Sequence, residues 1–157
     1  YAVRMRGIYE SVFRPAIRDR YDELEQEVGF RMAQFSVEIA RSLKFPLDTA
    51  RELAESLHAV NTLVFGPEYK DEVIGIGDDG AVIIIRICPA LENDSCSCSS
   101  GNGTFHRCMA FTIASQKIMN PKYSSRFVRA MCMGDRQCEI KIEPDNEAGK
   151  KPAQKSP

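Results

Sequence analysis

The sequence predicts an α+β domain in which an antiparallel sheet made of two hairpins carries helices on one side, with a helical N-terminal half. Apolar residues recur at a helical period through the first third of the chain. Two pairs of β-branched or alternating segments then follow, each around a turn that contains Asp and Gly. One further helical segment separates the two hairpins, so the predicted order is ααα-ββ-α-ββ.

The composition is that of an ordinary globular domain. The chain has 157 residues, of which 43% are apolar and 27% charged, and its formal net charge is −1. Near-neutral charge gives no electrostatic basis for direct binding to nucleic acid. The longest apolar run is far shorter than a membrane span, and the charged start does not resemble a signal peptide. We therefore expect a cytoplasmic domain over residues 1–143, followed by a polar, Pro- and Lys-rich disordered tail over residues 144–157.

Three helices are expected before the first strand. A first apolar stripe ends at Gly29, where we predict a break, and a second stripe runs through Met32, Phe35, Ile39 and Leu43. A third helix begins after an N-cap at Asp48 or Thr49. Its apolar face consists of Leu53, Leu57, Val60 and Leu63.

The second half contains the two predicted hairpins. Asp78-Asp79-Gly80 joins the first pair of strands, and Gly134-Asp135 joins residues 126–133 to residues 138–143. Between the hairpins we expect a long polar loop over residues 89–103 and a helix that begins at a Thr104 cap. Alternation in the last strand turns Cys138 to its buried face.

Six cysteines carry the chemistry that the sequence offers. In a reducing compartment, clustered thiols more often bind metal or undergo redox reactions than form stable disulfides. Zinc needs four N or S ligands, and an iron–sulfur cluster also uses four thiolates. The spacing lacks CxxC pairs, so it does not select one set of ligands. The candidate metal ligands are Cys88, Cys96, Cys98, Cys108 and Cys138.

Two other side chains are weaker candidates for the same site. Cys132 is interpreted as a core residue, because a single buried cysteine usually behaves as a small apolar side chain. His106 and Cys108 would point about 200° apart on a helix, so they are not expected to share an ion. A Cys–His nucleophilic pair using His106 stays open as an alternative.

The final hairpin, "MGDRQCEIKIE", resembles the C-terminal Gly-Asp-x-x-Cys signature of the 4-vinyl reductase-like domains and of the related L-2-amino-thiazoline-4-carboxylic acid hydrolase-like proteins. Cys88, Cys108, Cys138, Gly134 and Asp135 match the pattern, whereas Cys132 and the Cys96-x-Cys98 pair are additions. The resemblance implies an archaeal-type sensory or binding domain, frequently dimeric. It also implies a fold shared with vesicle-tethering subunits that hold an acyl chain in an apolar channel.

We therefore expect a binding domain that senses a small molecule, a metal or redox state, with a zinc-holding cysteine cluster and a homodimeric assembly. The small ligand cannot be named from the residues. One alternative is a hydrolase of the amino-thiazoline carboxylate type, which would use a metal-bound water or a cysteine nucleophile. Another is a structural dimerisation module. Little general acid–base equipment stands out, so a binding role is preferred to an enzymatic one.

Overall fold

A computed structural model describes residues 12, 15–17, 20–92 and 101–145, and it confirms the predicted α+β class. Residues 146–157 of the predicted tail 144–157 lie outside these residues, as do Cys96 and Cys98, whereas Pro144 belongs to the last strand. A 3-10 turn, Met131–Met133, precedes the last strand. The helices and strands are α1 Tyr21–Ser42, α2 Ala50–Phe65, β1 Lys70–Ile76, β2 Gly80–Ile87, α3 Pro89–Glu92, α4 Gly101–Met119, β3 Tyr123–Arg129 and β4 Cys138–Pro144.

The strands form one open antiparallel sheet in the order β1-β2-β4-β3, with helices packed against one face. β2 and β4 are the central pair, and their register places Ile83 opposite Ile140 and Ile85 opposite Cys138. Alternate residues of both strands are buried against the helices, as the period-2 pattern predicts. Within the described residues, no helix has the length and apolar character that a membrane span requires.

The break predicted at Gly29 is wrong, because α1 continues through this residue. Gly29 instead lies at the closest approach of α1 to α4. A methyl group added there would lie 2.4 Å from the carbonyl oxygen of Arg107 and 3.0 Å from the amide nitrogen of Phe111. The glycine therefore allows two helix backbones to approach, and it costs α1 only a modest amount of helix propensity.

The N-terminus of α2 is confirmed at Thr49. The Thr49 side chain accepts a hydrogen bond from the backbone N–H of Glu52, and the Glu52 carboxylate accepts one from the backbone N–H of Thr49. This reciprocal capping box satisfies two amides that the helix itself leaves without partners. Leu53, Leu57 and Val60 are buried, so this part of the predicted apolar face packs into the core, whereas Leu63, its fourth predicted member, is exposed.

The connection after β2 differs from the predicted loop at both ends. Residues 89–92 form the short helix α3, whose first position is Pro89, a position where proline's missing N–H costs nothing. α4 begins at Gly101, three residues before the predicted cap. Its end is as expected, since Asn120 accepts a hydrogen bond from the buried Gln116 side chain at 2.8 Å and Pro121 follows.

The first strand of the second hairpin is displaced from the predicted residues 126–133, because β3 spans Tyr123–Arg129. The chain then turns through Met131–Met133, and Gly134 follows with a left-handed φ of 101°. The backbone N–H of Ala130 donates to Oδ2 of Asp135 at 2.8 Å. The Asp135 carboxylate thus takes the place of a backbone acceptor on a neighbouring strand. As a result, residues 130–133, which the alternation pattern predicts to be strand, belong to the turn.

Candidate ligand-binding site

Four cysteines converge on one cavity between the helices and the sheet. Cys88 follows the end of β2, Cys108 lies in the second turn of α4, Cys132 lies in the 3-10 turn, and Cys138 opens β4. All four are half-buried thiols that line a cavity of about 70 Å³. Residues that are distant in sequence thus meet because a strand end, a helix start and a hairpin turn share one edge of the sheet.

The rest of the wall is mainly apolar. The sheet contributes Ile85, Phe127 and Ile140, and the helices contribute Met32, Phe65 and Phe111. Ile85, Ile140 and Phe111 are buried, whereas Met32 is only partly covered and therefore lies between the cavity and the surface. Such a lining favours a small molecule with a substantial apolar part.

A backbone hydrogen bond holds the Cys138 thiol in the cavity wall. Its Sγ accepts a hydrogen bond from the backbone N–H of Met131 at 3.3 Å. Burial raises the pKa of the Cys138 thiol, the Met131 hydrogen bond opposes this, and the nearby Cys88 raises the pKa further. Cys138 is therefore held as a neutral thiol at neutral pH rather than as a reactive thiolate.

Three of the predicted metal ligands, Cys88, Cys108 and Cys138, are brought to the cavity together. Cys132, interpreted from the sequence as a core residue, lines the same wall. Across the described ranges, however, no three His, Cys, Asp or Glu side chains are placed to share a metal ion. The donor chemistry suits zinc, but the arrangement of these side chains does not by itself form a zinc site.

His106 takes no part in this cavity. Its Nδ1 atom lies 3.6 Å from Oδ2 of Asp22 on α1, and His106 is absent from the cavity wall that includes Cys108. The described geometry therefore gives no support to a Cys108–His106 nucleophilic pair.

The cavity also has polar wall residues that sequence reasoning missed. Arg107 is almost fully buried and forms an ion pair with the buried carboxylate of Glu25 on α1. Asn61 and Tyr69 are buried beside it in the wall, and Asn61 Nδ2 donates to the Tyr69 hydroxyl at 3.3 Å. The sequence contains one indication that Asn61 is special. Asn61 is a polar residue on the apolar face of α2, four positions after Leu57. No local pattern pairs Glu25 with Arg107, which is 82 positions away.

Comparison with known proteins supports the fold. No known family model matches the chain, and no curated protein matches it. A trafficking protein particle complex subunit 3 from Naegleria fowleri, covalently bound to palmitic acid, superimposes with a TM-score of 0.66 at 12% identity, covering 92% of this chain and 95% of that one. The phenol-responsive sensory domain of the transcription activator PoxR, solved with phenol, gives 0.59 at 10% identity over 90% and 74% of the two chains.

At 12% and 10% identity, the two superpositions show a shared fold and do not show a shared function. The similarity to a trafficking protein particle complex subunit agrees with the fold that the sequence resemblance implied. The 4-vinyl reductase-like and thiazoline hydrolase-like families themselves are not confirmed, so that assignment stays a prediction.

Proposed function

We propose that this protein is a small-molecule-binding domain whose ligand occupies the thiol-lined cavity. The observation that carries the proposal is the convergence of four thiols and six apolar side chains on one cavity between the helices and the sheet. Two proteins of the same fold were solved with small ligands, palmitic acid in one and phenol in the other. The phenol-bound neighbour is a sensory domain, so it favours a sensory role for binding in this protein.

Cavity size restricts the ligand. An apolar cavity of about 150 Å³ is sufficient to bind benzene, whereas this cavity measures about 70 Å³. It accommodates a very small molecule directly, and a ring or an acyl chain only after a wall residue moves. Met32 is suited to that movement because it is partly exposed and its side chain is unbranched and flexible.

Binding is tested by titrating small apolar ligands, with phenol and short alcohols among them, and measuring heat and thermal stability. Cys108→Phe fills the cavity and should abolish the ligand-induced rise in Tm. Ile113→Phe adds the same ring to an exposed position of the same helix and should leave binding intact. Binding that survives Cys108→Phe would contradict the proposed site.

A thiophilic metal is a second candidate, favoured by the four thiols on one wall. Because the described side chains do not form a metal site, this proposal depends on Cys96 or Cys98 joining Cys88, Cys108 and Cys138. Elemental analysis of anaerobically purified protein, with thiol titration before and after a chelator, tests it. Stoichiometric zinc with about four protected thiols supports the site, whereas an absorption band near ~400 nm indicates an iron–sulfur cluster. Full thiol reactivity without metal excludes both.

The hydrolase alternative requires turnover of a cyclic thiazoline acid that is lost in Cys88→Ala or Cys108→Ala. No geometry among the described residues favours it over binding. Homodimerisation is a separate proposal, supported by exposed apolar side chains along α1, including Leu24, Val28 and Phe35. Sedimentation equilibrium of the wild type and of Phe35→Glu tests it, because a self-associating face would lose its contacts in the variant.

A further inference from the structure

The polar wall of the cavity contains a buried oxygen that the protein does not satisfy. Asn61 is 8% exposed, and its Oδ1 atom has no hydrogen-bond partner among the described residues. A buried amide oxygen without a donor costs about 1–3 kcal/mol. Native proteins rarely retain such an atom unless a water molecule or a ligand supplies the donor.

The neighbouring Tyr69 determines which atom of the Asn61 amide is left without a hydrogen-bond partner. Burial raises the pKa of the Tyr69 hydroxyl, and the Asp71 carboxylate raises it further, so Tyr69 keeps its proton. The negative charge of Asp71 attracts that hydrogen, which leaves the Tyr69 oxygen to accept from Asn61 Nδ2 at 3.3 Å. The amide is thereby oriented with its nitrogen toward Tyr69, and its oxygen is the atom that needs a donor.

Arg107 adds a second polar feature to the same wall. It is 4% exposed, and its charge is balanced by Glu25. Both residues line the cavity, and a guanidinium presents only hydrogen-bond donors. A ligand group that reaches both would meet an acceptor at Asn61 and a donor at Arg107. A hydroxyl group has both capacities, whereas a hydrocarbon has neither.

We propose that Asn61 is the specificity-determining residue of the cavity, and that its Oδ1 accepts a hydrogen bond from the hydroxyl group of a small alcohol or phenol. This inference rests on the proposed function, since it concerns the ligand of the same cavity. A site that is built to pair a hydroxyl rejects the analogue that lacks it, because the buried protein group is then left unpaired.

Phenol and toluene test the inference, because they have nearly the same shape and differ in the hydroxyl. In the wild type, phenol should bind about tenfold more tightly than toluene by calorimetry. Asn61→Leu, which replaces the amide by an apolar group of similar size, should remove that preference while toluene still binds. Leu63→Ala changes an exposed residue of the same helix and should keep the wild-type preference.

A measurement on the wild type covers the case in which Asn61→Leu does not fold. Phenol should shift the ¹³Cγ resonance of Asn61, and toluene should leave it almost unchanged. Equal binding of the two ligands, or a shift with neither or with both, would overturn the inference and indicate that water satisfies Asn61, while the binding function stands. Failure of both phenol and toluene to bind would overturn the inference, whereas the proposed function would be overturned only if the short alcohols of the titration above also failed to bind.

Discussion

Tyr123 donates its hydroxyl hydrogen to Oδ2 of Asp79 at 2.6 Å, which joins the start of β3 to the turn between β1 and β2. The other carboxylate oxygen of Asp79 accepts the backbone N–H of Ala50 at 3.0 Å, in the first turn of α2. One side chain therefore holds three elements together at the end of the sheet away from Cys138. The carboxylate also lies near the N-terminus of α2, where negative charge is favourable.

Removing either partner of this hydrogen bond should destabilise the fold. We expect Tyr123→Phe and Asp79→Ala each to lower the free energy of unfolding by about 1–2 kcal/mol. Urea denaturation measures both, and the double mutant should lose less than the sum, because the two residues share one interaction. Asp78→Ala, at the adjacent exposed turn position, is the control and should change stability little.

The same pair should make stability depend on pH at both extremes. The Tyr123 hydrogen bond lowers the pKa of Asp79 below its usual value of 3.8, so its contribution is present above that value and disappears as pH falls through the lower, folded pKa. The Asp79 hydrogen bond raises the pKa of Tyr123 to about 12, so that contribution is present below the usual 10 and disappears as pH rises through 12. Unfolding free energies measured across pH should lose both effects in Asp79→Ala, which removes the carboxylate and leaves no acceptor for the Tyr123 hydroxyl; an unchanged profile would contradict this.

Gly29 gives a prediction that opposes helix propensity. Alanine is the better helix former, yet Gly29→Ala should lower the free energy of unfolding by about 1–3 kcal/mol, because the methyl group meets the α4 backbone. Gly75→Ala is the control, since a methyl group there contacts nothing within 4 Å. Chemical denaturation compares the two, and a stabilised Gly29→Ala would show that the helices can separate without cost.

The elements of the fold could be predicted from the sequence wherever short-range patterns determine them. The Thr49 cap, the first hairpin and the alternation of β4 all have short-range causes, and all three appear in the structure, with the hairpin turn at residues 77–79 and Gly80 already in β2. Gly29 was misread because its role depends on Arg107 and Phe111, which are far away in sequence. A glycine at a helix crossing and a glycine at a helix end have the same local signature.

Cys138 should react slowly with thiol reagents at neutral pH. Burial raises its pKa, so the thiolate that attacks the reagent is scarce until pH exceeds the usual range for cysteine. Keeping this thiol neutral contributes stability below the unfolded pKa, and the contribution is lost as pH rises through the folded value. Alkylation rates of the wild type and of Cys138→Ser, followed by mass spectrometry across pH, measure this. Rapid labelling of Cys138 at pH 7 in folded protein would contradict the burial.

Met32 should determine the upper size of the ligand. Met32→Ala removes a flexible side chain from the wall and should raise the affinity for benzene roughly fivefold, because more of the ring is then buried. The expected loss of stability is about 1–2 kcal/mol, since Met32 is only half-buried. Met109→Ala, at a half-buried position of α4 outside this cavity, is the control. An affinity for benzene that stays unchanged in Met32→Ala would show that this side chain does not limit the cavity.

The site was harder to predict than the fold. Cysteine positions and the family resemblance selected Cys88, Cys108 and Cys138, which line the cavity, but the same reasoning set Cys132 aside although it lines the cavity too. Their common cavity follows from the antiparallel β2–β4 pairing, which places Cys138 opposite Ile85, three residues before Cys88. Asn61 and Arg107 were missed because a buried polar residue cannot be distinguished from a surface one until the packing of helices is known.

The close contact at Gly29 links the cavity wall to α1. Arg107 belongs to the cavity wall, its carbonyl oxygen faces Gly29 closely, and its guanidinium pairs with Glu25. Closely packed interiors transmit displacement because they have no free space to absorb it. A ligand that moves this turn of α4 must therefore move α1 as well. The outer face of α1, which exposes Val28 and Phe35, would then be displaced together with the cavity wall.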